Sequence, residues 1–337
     1  MTLRGELERQ EHQQLSSWAA FSDESKGRLH PEEERSEDVR TVYQRDTDKI
    51  VHSKAFRRLM HKTQVFLRPE GDHYRTRMTH TLEVSRIART IAKALNLNED
   101  LAEAAAMGHD LGHTPFGHAG EKALSQVMQF PFRHNEQSLR VVDILENDGE
   151  GLNLTYEVRM AILGHTGDFV PQTLEGQIVR RADRFAYVNH DIDDAIRAGI
   201  LSDQDLPGSV VRILGRSYSQ RINTLVCDAI TASRETGQIM LSAPVEQALQ
   251  DLREFMFERV YRNPVAKGEE KKAQDMLLRL YEYYYSHPEA LPEDFQPQLS
   301  FEGIERTICD YIAGMTDHYA VDKFTQLFVP AGWQVRG

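Results

Sequence analysis

The sequence predicts an all-α protein with few or no strands. Three observations carry this. From Val39 onward, apolar residues recur three and four positions apart, the period of one helix face. Strict alternation of apolar and polar residues, the mark of a half-buried strand, is scarce. Proline and glycine fall between the periodic stretches and not inside them.

Residues 1–38 are crowded with charge and read as a polar, partly irregular segment. DKIVHSKAFRRLM then places Ile50, Ala55, Phe56 and Leu59 at helical spacings. The turn-rich RPEGDHY, residues 68–74, separates this stretch from the next and suits a short hairpin or lid. MTHTLEVSRIARTIAKAL follows, with Leu82, Ile87, Ile91 and Leu95 as its apolar residues. Asn98 stands where a side-chain cap is needed for EDLAEAAAMGHD, whose alanines suit close packing. Gly112, Pro115 and Gly117 break the period just beyond. NEQSLRVVDILEN, TYEVRMAILGH, LEGQIVRRADRFAYVNHDIDDAIRA and SVVRILGRSYSQRINTLVCDAI each read as a helix. So do VEQALQDLREFMFERVY, KKAQDMLLRLYEYYYS and FEGIERTICDYIAGMTDHYAVDKF. No repeat or low-complexity linker divides the chain. Residues 39–337 therefore read as a single helical domain, with an active-site half over 45–195 and a C-terminal helical half.

With 40% hydrophobic residues, the 337-residue chain can bury a sizeable core. Acidic residues outnumber Lys and Arg by 52 to 40, a formal net charge of -12, which argues against tight non-specific binding of nucleic acid. The two cysteines, Cys227 and Cys309, form no CxxC pair, so a thiolate zinc site and a disulfide framework are excluded. The polar N-terminus shows no signal peptide, and no apolar run nears the roughly 18 residues of a membrane span. The expectation is a soluble cytoplasmic protein.

Fourteen histidines are present, and three of them, His109, His113 and His118, fall in GHDLGHTPFGHAGE. A histidine beside an aspartate offers one nitrogen and one oxygen to the same cation. One such dipeptide is weak evidence, and His190-Asp191 is another. Context strengthens the first: His80 lies on the preceding helix and Asp183 on a later one, and helices of a bundle can bring such residues together. Two His and two Asp with open positions suit Mn, Fe, Mg, Co or Ni better than a closed structural zinc. His118 and Glu121 are three apart on a predicted helix and share a face, where the carboxylate can orient the imidazole.

The order H…HD…D resembles the HD superfamily of metal phosphohydrolases. The longer strings IVHSKAFRRLMHKTQVF, RTRMTHTLEVSRIAR, GHDLGHTPFGHAGE, ADRFAYVNHDIDDA and DYIAGMTDHYA together resemble the bacterial deoxyguanosinetriphosphate triphosphohydrolase family, over roughly residues 27–320. The vertebrate SAM-and-HD-domain dNTPase is a more distant relative. The resemblance implies an HD-domain helical bundle with additional C-terminal helices, and hydrolysis of a deoxynucleoside triphosphate to deoxynucleoside and tripolyphosphate.

Residue by residue, the resemblance implies that His80, His109, Asp110 and Asp183 hold the metal. His118 matches the catalytic histidine and Glu121 its acidic partner, with His134 a further active-site histidine. His113 sits where relatives contact phosphate, and Gln64 matches a reader of the sugar 3′-hydroxyl. Tyr187 and Asp191 follow Asp183 on one helical face, and in relatives the tyrosine packs beneath the deoxyribose and the aspartate binds the 3′-hydroxyl. Among Arg57, Arg58, Lys62, Arg75 and Arg77, Arg58 is the expected triphosphate contact. The expected cofactor is a divalent metal, Mn or Mg first, with Fe, Co, Ni or Zn as alternatives. The expected partners are the dNTP substrate, a dNTP activator and further copies of the chain, as a hexamer in many relatives. Single-stranded DNA is a weaker candidate, and no membrane is expected. The rival readings are an HD phosphohydrolase for another nucleotide and a nucleotide- or single-strand-DNA-binding regulator with weak catalysis.

Overall fold

The structure, a computed structural model, describes residues 2–32, 38–64, 75–262 and 264–330. The hairpin or lid expected at residues 68–74 lies outside them. Among the described residues the only β pairings are two isolated antiparallel bridges, Arg28–Thr155 and Thr63–Thr76. Everything else regular is helix.

The polar N-terminal stretch contains a helix, α1 (Leu3–Gln14), none of whose residues is buried. Hydrogen bonds, in place of an apolar stripe, hold this helix and the residues after it. Glu11 accepts from Ser22 N at 2.8 Å and Ser22 Oγ at 2.7 Å, and His12 stacks on Phe21. Buried carboxylates then receive the chain in turn: Ala20 N donates to Glu175, Lys26 N to Glu157, and Arg28 pairs with Asp46 at 2.5 Å.

DKIVHSKAFRRLM becomes two helices, α2 (Val42–His52) and α3 (Lys54–Arg58), because Ser53 leaves helical geometry and caps the second through Phe56 N. Ile50, Ala55, Phe56 and Leu59 are buried. Next come α4 (Arg77–Ala94) and α5 (Glu99–Gly108). Asn98 caps α5 by accepting from Asp100 N and Leu101 N, the arrangement its position predicts. On α4 the inward stripe is His80, Val84, Ile87 and Ile91. Leu82 is two residues out of phase, about 200° round the helix, and is 45% exposed. Five residues of α5, Leu101, Ala102, Ala104, Ala105 and Ala106, are fully buried, so α4, α2 and α9 (Leu174–Arg197) pack against it.

Between α5 and α9 lie α6 (His118–Val127), α7 (His134–Arg140) and α8 (Tyr156–Gly164). Beyond α9, SVVRILGRSYSQRINTLVCDAI is two helices, α10 (Gly208–Leu214) and α11 (Tyr218–Ser233), since Gly215 turns the chain at φ +100°. Then come α12 (Ala243–Met256), continued by a π-helical turn over Phe257–Tyr261, and α13 (Pro264–Ser286). The last stretch also divides, into α14 (Gln298–Glu302), α15 (Ile304–Ala313) and α16 (Asp317–Phe328), with Thr316 capping α16. One apolar core joins α4, α5 and α9 to α10–α12; a second joins α2, α5 and α8; a third joins α6 to α13, α15 and α16. The ends of α5 and α6 lie where these cores meet. None of the described helices is long and apolar enough to cross a membrane.

Candidate metal centre and active site

His80 lies one turn into α4, His109 and Asp110 directly after α5, and Asp183 in the middle of α9. Packing of the three helices brings their donor atoms together. His80 Nε2 is 3.1 Å from Asp183 Oδ1 and 3.4 Å from His109 Nε2. His109 Nε2 is 3.4 Å from Asp110 Oδ1 and 3.9 Å from Asp183 Oδ1. Donors around a cation at about 2.0–2.2 Å lie roughly 3–3.5 Å apart, so the spacing fits a metal centre.

The tautomers agree. His109 Nδ1 donates to Ala106 O at 2.7 Å, which leaves its Nε2 lone pair facing the centre. His80 Nδ1 lies 3.0 Å from His190 Nε2, and His190 Nδ1 lies 2.9 Å from Asp191 Oδ1 at an angle that misses hydrogen-bond geometry. A proton on each Nδ1 turns His80 Nε2 inward as well. The electrostatics point the same way. Burial alone would push His80 down, but a second proton, on Nε2, would hydrogen-bond to Asp183, and this with the charges of Asp110 and Asp183 raises it from its ordinary value. Asp110 and Asp183 are held well below the usual carboxylate range: burial opposes this, but His109, His113 and Arg77 overcome it at Asp110, and His80 and His109 at Asp183. His80, His109 and Asp110 lie close enough together to hold one ion, and Asp183 adjoins them through the two imidazoles; the place favours positive charge, and a divalent cation matches these donors.

Because His190 orients His80 without reaching the centre, His190→Ala should weaken divalent-cation affinity about 10–100-fold, as loss of such a supporting hydrogen bond does in other metal sites. Competition against a fluorescent chelator measures it. Unchanged affinity would remove His190 from the centre.

A second group of imidazoles adjoins the first. His113 Nε2 faces Asp110 Oδ1 at 3.2 Å, and its ring stacks on His134 with centroids 4.0 Å apart. His118 opens α6 with its side chain 80% exposed and its Nδ1 3.1 Å from Glu121 Oε2, the contact the i, i+3 spacing predicts. Glu121 also accepts from His134 N at 3.0 Å and faces His134 Nδ1. Burial would raise Glu121, but its hydrogen bonds with His118 and His134 hold it far below the usual range. His134 Nε2 meets His165 Nε2 at 3.2 Å. His165 donates from Nδ1 to Ile162 O, and burial, with the charges of His109 and His134, pushes it down to about 3, so it stays neutral at pH 7.

Gln64 is half-buried, and its Oε1 has no hydrogen-bond partner among the described residues. The hydroxyl of Tyr187, one turn after Asp183, accepts from Arg253 Nε at 3.0 Å. Asp191, a further turn on, is buried and accepts from the Tyr261 hydroxyl at 2.5 Å.

Arg58 does not join this site. Phe56 and Leu59 anchor α3 and the turn after it, and that phase turns Arg58 toward Glu146 at 3.7 Å. It lines a separate cavity of about 380 Å³ with Lys54, Tyr311 and Met315, to which none of the four donors contributes. The cations placed near the donors are others. Arg77 is buried and donates to Asp110 Oδ2 at 2.9 Å. Arg184, next to Asp183, is half-buried with no carboxylate in ion-pair range among the described residues, and Arg253 lies close to it. Sequence reasoning passed over His165, Arg184, Arg253 and Tyr261, and named His190 only as part of a second histidine–aspartate dipeptide, without a role. For Arg184 and His190 the signal was available, as neighbours of Asp183 and Asp191 on α9. For the others it was not.

Two family models match the chain, the HD domain over residues 77–188 and the Phosphohydrolase-associated domain over residues 239–326. The first contains all four donors; the second contains Arg253 and Tyr261. A protein of Caldanaerobacter subterraneus subsp. tengcongensis is 53% identical, over 99% of this chain and 98% of its own length. One from Clostridium perfringens (strain SM101) is 48% identical over 98% of each chain. One from Geobacter sulfurreducens is 40% identical over 95% of this chain and 96% of its own. All three carry the name deoxyguanosinetriphosphate triphosphohydrolase-like protein. A crystal structure of a phosphohydrolase from Bacteroides thetaiotaomicron is similar in fold, with a TM-score of 0.53, 18% identity, and coverage of 83% of this chain and 68% of that one.

Proposed function

This chain belongs to the deoxyguanosinetriphosphate triphosphohydrolase-like family of HD phosphohydrolases, and from that premise we propose that it hydrolyses deoxynucleoside triphosphates to deoxynucleoside and tripolyphosphate. The observation that carries the reading is the continuous path from the His80, His109, Asp110 and Asp183 donors, through His113, to the exposed His118–Glu121 pair. One end suits a cation at a phosphate; the other suits proton transfer at a leaving group.

A divalent cation at that centre, manganese or magnesium by preference, would polarise the α-phosphate and acidify water. The chain's own groups do the rest. The 5′-oxygen leaves poorly as an alkoxide, so it needs a proton in the transition state. His118 is assigned as the donor: Glu121 occupies its Nδ1, which leaves Nε2 free, and the ionised carboxylate supports the imidazolium. His134 gives Glu121 its other hydrogen bonds and stacks on His113, which in turn steadies Asp110. Arg77, Arg184 and Arg253 supply positive charge for the triphosphate. Gln64, whose buried carboxamide oxygen has no partner among the described residues, and Asp191 are assigned to the sugar hydroxyl, and Tyr187 to the sugar face. Oligomer assembly and a dNTP activator are part of the same proposal.

The test is ³¹P NMR of products from dGTP with Mn or Mg. Tripolyphosphate is expected; pyrophosphate or orthophosphate as the first product would refute the reading. GTP should turn over on the order of 10–100-fold more slowly than dGTP, and Tyr187→Ala should narrow that gap. Equal turnover of GTP and dGTP by the unmodified chain would rule out the sugar pocket.

A further inference from the structure

Two segments of the proposed site are tied to one carboxylate from the far end of the chain. Asp317 opens α16 and is 2% exposed. Its Oδ1 accepts from Phe116 N at 3.0 Å. Its Oδ2 accepts from Thr63 N at 3.1 Å and Thr63 Oγ1 at 2.6 Å. Thr63 immediately precedes Gln64, and Phe116 lies two residues before His118. Both of the carboxylate's oxygens are thus spent on backbone that carries proposed substrate-facing groups.

The loop it holds needs holding. Phe116 has φ +62° and Gly117 φ +56°, so the turn between the metal donors and α6 passes through two consecutive left-handed residues, the first of them a phenylalanine. Such a backbone persists only where its surroundings over-determine it. A β-carbon on Gly117 would meet the Arg77 guanidinium at 2.8 Å and Gln64 O at 3.5 Å, so the two tied segments lie close to each other. A second strap runs parallel. The buried Lys62 donates from Nζ to His113 O on the loop and to Ala313 O at 2.8 Å, at the end of α15. Lys62 is adjacent to Thr63, and Ala313 is separated from Asp317 by three residues. The junction of α15 and α16 therefore grips the two segments at the amides of Phe116 and Thr63, the Thr63 hydroxyl and the Lys62 ammonium.

We propose that Asp317 is a positioning residue for the phosphohydrolase site. It fixes the His113–His118 loop in register with Gln64, so that the Phosphohydrolase-associated segment is part of the active site. The proposal rests on the roles assigned above to His118 and Gln64. Its physical content is separate from them: without the carboxylate, the amides of Phe116 and Thr63 lose their buried acceptor, and the loop is released while the metal donors on α4, at the end of α5 and on α9 stay in place.

The experiment uses the full chain with Asp317→Ala and, to preserve shape, Asp317→Asn. Hydrogen exchange read by mass spectrometry should quicken in peptides covering residues 62–64 and 113–118, and stay unchanged across α9. Divalent-cation content should match the unmodified chain. The kcat for dGTP should fall about 10²-fold, the cost of a misplacement near 1 Å, with KM moving far less. In a His118→Ala background the same substitution should cost almost nothing further, because both changes act on one proton donor. Unchanged exchange in the two segments overturns the clamp. Loss of the cation, or faster exchange throughout the chain in both variants, reduces Asp317 to a structural residue and overturns the proposal. So does an undiminished loss of kcat in the His118→Ala background. If the unmodified chain hydrolyses no dNTP, the functional reading fails, and the exchange measurement still decides whether Asp317 holds the loop.

Discussion

Asp110→Ala is expected to leave the chain without its divalent cation and without hydrolysis. Asp110 links the centre to its surroundings: Oδ1 faces His109 and His113, and Oδ2 accepts from Arg77. Removing it deletes one of the two carboxylates that balance the cation and leaves a buried guanidinium unpaired, which costs on the order of 3–5 kcal/mol of stability. Asp110→Asn keeps the shape and most of the stability, and so separates loss of the centre from loss of the fold. Either variant forfeits several kcal/mol of transition-state stabilisation, a fall in kcat on the order of 10³-fold or more. Metal analysis of the purified protein and initial rates with dGTP check this together. Stoichiometric metal with near-normal turnover in Asp110→Asn would dismiss the centre.

His118→Ala should behave differently. The residue lies outside the four donors and its side chain is 80% exposed, so the variant should keep its cation, its fold and nearly normal dNTP binding. Turnover should fall about 10²–10⁴-fold, the contribution of a positioned general acid. Glu121→Gln should lose less in turnover, since Glu121 orients the imidazole and supports its charge without touching the leaving oxygen. The role can be tested through the leaving group. A substrate cleaved at the same phosphorus but with a more acidic alcohol needs less help from a proton, so the mutation should slow it less. Equal slowing of both substrates, or loss of the cation, would make His118 a positioning residue or a ligand.

Local rules made much of the fold and part of the site legible. A 3.6-residue period identifies α4 because it buries one stripe. Asn98 announces a helix start because its side chain replaces missing intrahelical acceptors. His118 and Glu121 meet because three residues nearly complete a turn. The four donors stood out because the order and spacing of their motifs, IVHSKAFRRLM through ADRFAYVNHDIDDA, are those of a known family. Where a break depended on backbone geometry, periodicity ran through it: SVVRILGRSYSQRINTLVCDAI looks continuous, yet Gly215 at φ +100° ends α10.

By itself the sequence determined most of the helical stretches beyond Val39, which histidines and aspartates share a spacing suited to a cation, and which pair shares a helical face. Tertiary structure alone decided what reaches those groups from afar. Asp317 bonds to Phe116 and Thr63, Arg253 to Tyr187, and Tyr261 to Asp191, across separations of 66 to 254 residues that leave no periodic trace. It also turned Arg58 to Glu146, and it ordered the polar N-terminal stretch on the carboxylates of Glu157, Glu175 and Asp46. The reason is common to all of these. A helix and its caps arise from interactions within a few residues. A buried polar group takes whichever partner the packed chain presents, and that partner is chosen only when the cores close.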